Sequence, residues 1–92
     1  MGGSSLTGRG WPPWWSWELE FSFHVLKRMG DRGCTEVDVR LMLENATTHR
    51  KDIVEGRWVI ETSFGRRRWD VIVEPDVAGR VLLVITAYPM SE

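Results

Sequence analysis

The sequence predicts an α+β fold: two N-terminal helices packed on an antiparallel sheet of about four strands, with a short strand before the first helix. Three features carry this. Two stretches with clear helix caps come early, alternation with a period of two dominates after about residue 50, and Val81–Tyr88 (VLLVITAY) is apolar on both faces. With 92 residues, 42% apolar and 27% charged, the chain fits one small globular domain. Its core must be small, and six tryptophans offset that because each buries a large area.

Residues 1–13 read as a flexible Gly/Ser/Pro leader and 14–92 as the domain. Pro12 and Pro13 hold the leader's end extended. Trp11, Trp14, Trp15 and Trp17 then form an aromatic cluster too dense for a solvated linker. Two roles fit it: a flap closing the core, or a surface for a protein partner or for self-association through Trp11, Trp14 and Trp15.

Trp17–Phe21 alternates apolar and acidic residues, as a half-buried strand does. Ser22 is the expected N-cap of a helix over 23–32, with Val25, Leu26 and Met29 as its apolar stripe. Gly33 should end it in the left-handed conformation. Thr35 with Asp38 makes a short capping box for a second helix over 36–45. Val37, Val39, Leu41, Met42 and Leu43 surround most of that helix, which predicts deep burial.

Further on, Arg50–Val54 reads as a weak edge strand, with His49 in the loop before it. In Arg57–Thr62, Trp58 and Ile60 take one face, and Arg57, Val59 and Glu61 the other. Ser63-Phe64-Gly65 is the expected hairpin turn. Arg67–Glu74 places Trp69, Val71 and Val73 opposite Arg68, Asp70 and Ile72. Pro75–Gly79 is the expected second turn, and Val81–Tyr88 the central strand.

Net charge is -1, so bulk charge predicts no polyanion binding. The single cysteine, Cys34, reads as core, and its solitude fits a reducing compartment. No apolar run approaches the ~20 residues of a spanning helix, and no signal-peptide core is evident. These point to a cytoplasmic protein without membrane contact. No metal-ligand spacing or phosphate loop occurs, so no metal and no cofactor is expected.

The candidate chemistry is basic. His24, Lys27, Arg28 and Asp31 share a helix face, with His24 near the positive end of the dipole, which favours neutral imidazole. Such a histidine can act as a general base, and Arg28 can hold a phosphate oxygen. The plain alternative is a solvated face that happens to contain a histidine. Arg32 falls at the edge of the apolar stripe, where pairing with Asp70 or Glu61 would be structural. Arg66, Arg67 and Arg68 open a strand, and alternation sends Arg66 and Arg68 to one side.

The segment His24–Thr35 (HVLKRMGDRGCT) resembles His-x-x-x-Arg-Met-x-x-Arg-Gly-aliphatic-Ser/Thr, the signature of a family of small bacterial domains called domain of unknown function 4258. The resemblance covers about Phe21 to Tyr88, with Cys34 a mild departure. It implies two helices followed by a hairpin-rich sheet. Such domains are similar in architecture to toxin ribonucleases of the RelE and colicin type. The resemblance therefore implies metal-independent RNA cleavage, with His24 and Arg28 catalytic and Arg32 at a motif position. Phosphate binding by Arg32, Arg66 and Arg68 completes this reading. The competing one is a non-catalytic interaction domain with a Trp-rich N-terminal binding edge.

Overall fold

A computed structural model describes residues 11–90. The leader's residues 1–10 lie outside them. The elements are a 3-10 helix (Pro13–Ser16), β1 (Glu18–Phe21), α1 (Phe23–Asp31), α2 (Glu36–Glu44), β2 (Thr48–Lys51), β3 (Trp58–Phe64), β4 (Arg67–Asp76) and β5 (Val81–Pro89). The class is α+β, as expected. The sheet, however, has five strands in the order β1-β5-β4-β3-β2 and is mixed, because β1 pairs parallel to β5. The short first strand therefore belongs to the sheet, and Val81–Tyr88, within β5, is an interior strand between β1 and β4. The parallel pairing follows from the connection: α1 and the hairpins return the chain to β5 in the direction of β1.

Both helices start where their caps dictate. Ser22 Oγ accepts from the Val25 N–H at 3.0 Å. Thr35 and Asp38 form the reciprocal box, at 3.2 and 2.9 Å. Gly33, at φ +77°, turns the chain out of α1, and Cys34 N–H closes back onto the Met29 carbonyl. α2 is less buried than its apolar count suggests. Val39, Met42 and Leu43 face the sheet, but Val37 and Leu41 are exposed. Those two fall on the far side of a helix that packs by one face only.

The buried Thr62 hydroxyl donates to the Met42 carbonyl, which ties the end of α2 to β3 and identifies the covered face of the sheet. Alternation and register place Ile60, Trp69, Val71, Val73, Leu82, Val84 and Ala87 on that face, and these side chains form the core with Val25, Met29, Cys34 and Val39. Trp11, Trp14, Trp15 and Trp17 finish the same layer. Trp11 lies 4.4 Å from Trp15 and 4.6 Å from His49, and Trp14 lies 5.4 Å from Trp58, measured between ring centroids. Among the described residues, Trp11, Trp14, Trp15 and Trp17 all pack against the core, so this aromatic segment serves as a flap over it.

Three local expectations shift. β2 is Thr48–Lys51 rather than 50–54, so His49 lies in a strand, between Trp11 and Trp58. The first hairpin turns at Gly65 and Arg66, both with positive φ (59° and 72°), the mark of a tight primed turn. The second turns after Asp76, at residues 77–80. No helix among the described residues is long and apolar enough to cross a membrane.

Candidate functional site

His24, Lys27, Arg28 and Asp31 are all exposed on α1, on the helix side of the sheet. Arg32 is exposed as well, but it reaches the sheet. Its Nη1 approaches Thr86 Oγ1 at 3.4 Å and the Ala87 carbonyl at 3.5 Å. These contacts fall where β1 has ended, since β1 pairs only with Val81–Val84, and β5 beyond that point is an open edge. Arg32 therefore closes an edge; it does not pair with Asp70 or Glu61 as its position in the stripe suggested. Arg66 sits in the turn, Arg67 is on the helix side, and Arg68 points to the opposite face. Arg68 thus lies on the face of the sheet away from His24 and Arg28.

The open face of the sheet holds a different constellation. Among the described residues, no element packs over it. Register aligns Thr48 with Glu61, Glu61 with Asp70, and Asp70 with Tyr88, a polar row across β2, β3, β4 and β5. Arg50 and Arg68 flank the row on the same face. Arg50 Nε donates to Glu61 Oε2 at 3.1 Å, and Arg50 Nη2 lies 3.6 Å from Asp70 Oδ2. Thr48 Oγ1 donates to Glu61 Oε1 at 3.3 Å. Val59 and Ile72 are buried on the same face beside the row.

Asp70 is 4% exposed, unusual for a carboxylate on an uncovered face. Burial pushes its carboxyl above the usual range; Arg50 opposes this, and the charge of Glu61 adds to it. Glu61 goes the other way. The hydrogen bond from Arg50 is the main cause that holds its carboxyl below the usual range, with burial opposing and Thr48 assisting. Two adjacent carboxyls are therefore shifted in opposite directions. Arg68 acts electrostatically on both. Thr86, bonded to Arg32, lies two residues before Tyr88 on β5.

The sequence pattern had placed Asp70 and Arg68 on one strand face, but had treated Glu61 and Asp70 only as partners for arginines. The available signal was an aspartate inside the otherwise apolar run Trp69–Val73. The row itself exists only through register. No family model matches the chain, and no curated protein or solved structure matches it. The resemblance in His24–Thr35 rests on that motif alone.

Proposed function

We propose that this domain cleaves single-stranded RNA without a metal ion, using the open sheet face. The observation that supports this best is the row Glu61–Asp70–Tyr88 between Arg50 and Arg68. Glu61, ionised at neutral pH and 26% exposed in its side chain, takes the proton of the ribose 2′-hydroxyl as that oxygen attacks phosphorus. The bond from phosphorus to the 5′-oxygen breaks, the half-buried Tyr88 hydroxyl gives its own proton to that leaving oxygen, and proton exchange with water then returns Glu61 and Tyr88 to their starting states. Arg68, exposed beside the row, holds the phosphate oxygens as charge develops on them. Asp70 acts as a positioning residue through Arg50.

The test is cleavage of a labelled single-stranded RNA in excess chelator. Products should end in a 2′,3′-cyclic phosphate. Glu61→Gln should lower the rate by about 10²–10⁴-fold, and Arg68→Ala by about 10²-fold, with unchanged circular dichroism. His24→Ala should leave the rate within a few fold. A large loss in His24→Ala with Glu61→Gln neutral moves the chemistry to α1 and to the pairing of His24 with Arg28. RNA left intact by the wild-type chain removes the enzyme reading.

A further inference from the structure

Outside that row, the described residues form a polar concavity. The loop joining β2 to β3 lines a half-open surface cleft of about 380 Å³, bordered among others by Lys51, Asp52, Glu55, Arg57 and Trp58. That volume accommodates a nucleobase with its sugar, in the range of small-molecule sites. Trp58 is a preset wall, its ring held by Trp14 at 5.4 Å and His49 at 5.6 Å. A wall that need not order on binding loses less affinity to entropy. The loop is shaped from within: Asp52 N–H donates to the Arg57 carbonyl at 2.9 Å, and Ile53 N–H to Asp52 Oδ1 at 2.8 Å. Gly56, at φ +87°, makes the turn that a side chain would resist.

The polar groups differ in how far they are already engaged. Arg57 Nε donates to Glu74 at 3.0 Å, and one oxygen of Asp52 is used by the loop. Glu55 is exposed and, among the described residues, makes no ion pair. A carboxylate offers two acceptors and no donor. Its complement is a ligand with two adjacent N–H donors on a flat, stackable ring. Among nucleobases that is guanine, with N1–H and the exocyclic amine side by side; adenine and cytosine present an acceptor there, and uracil lacks the amine.

We propose that this cleft is a guanine-nucleotide subsite, with Glu55 accepting from N1–H and N2–H, Trp58 lining the base, and Lys51 meeting the phosphate. It deepens the RNA reading by naming a base preference, and it is tested without any cleavage step. The full chain is titrated with 5′-GMP, and binding is followed by tryptophan fluorescence and by amide shifts of residues 51–58. Saturable binding of GMP, at least tenfold tighter than AMP, CMP or UMP, and weakened about tenfold or more in Glu55→Gln, is the expected result. Glu55 is on the surface, so that variant should keep the wild-type melting curve, and Lys51→Ala should weaken GMP but not free guanosine. No saturation by GMP at millimolar concentration overturns the proposal, as does equal binding of AMP or indifference to Glu55→Gln. A chain that binds GMP yet leaves RNA intact keeps this subsite and loses the nuclease reading; cleavage without GMP binding does the reverse.

Discussion

Trp58→Ala tests whether the N-terminal aromatic segment is part of the folded domain. Trp58 is half-buried and contacts Trp14 and His49 at once, so it links the flap, β2 and β3. Truncating a fully buried tryptophan costs about 3–5 kcal/mol. Half burial brings the expected loss to about 2 kcal/mol, including about 0.5–1.5 kcal/mol of ring–ring contact. For a domain of this size each kcal/mol moves the melting midpoint by about 4–8 °C, so the fall should be about 8–16 °C. Trp14→Ala and the double variant complete a cycle in which the coupling isolates the contact between the two rings. Thermal melts followed by far-ultraviolet circular dichroism, with urea titrations for the free energies, supply the four values. A loss under about 0.5 kcal/mol in Trp58→Ala, or additivity between the two sites, would refute docking of the flap on β3.

Two further perturbations address the turn and the polar row. Arg66 holds φ 72°, a conformation that costs a non-glycine residue about 1 kcal/mol, so Arg66→Gly should stabilise by up to that amount; a lower urea midpoint would contradict the tight-turn assignment. Acid titration of stability should separate Glu61 from Asp70. The lowered Glu61 binds fewer protons folded than unfolded, so its stabilisation is present above about pH 4.5 and is lost on acidification. The raised Asp70 binds more, so its ionisation penalty is relieved as pH falls toward 3.8. Asp70→Asn should therefore steepen the loss of stability around pH 4, and an unchanged slope would show that Asp70 titrates normally.

How much was legible depended on the range of the interaction. Ser22, Gly33, Thr35 and Asp38 act within one helical turn, and the structure has each cap where the residues place it. Alternation likewise assigned Trp58 and Ile60 to one face of β3 and Val59 and Glu61 to the other, because side-chain direction is a property of the single strand. The parallel pairing of β1 with β5 was not legible, since nothing local records which strand a distant segment joins. Burial of α2 was overestimated for a related reason: counting apolar residues around a helix does not reveal that only one side meets a sheet.

The polar row shows the same limit at the site. Glu61, Asp70 and Tyr88 are distant in sequence and become neighbours only through the registers of two hairpins. The β3–β4 register depends on the turn. With the two-residue turn at Gly65–Arg66, Glu61 faces Asp70 and Thr62 faces Trp69. A turn centred on Ser63-Phe64-Gly65, as the sequence suggested, would have set a different pairing, and slippage in a hairpin changes which side chains meet across it. The two positive φ values at 65 and 66 are thus what bring a lowered and a raised carboxyl side by side, with Arg50 between them. The motif residues around His24 are neighbours in sequence, whereas the polar row of the open face is assembled by register.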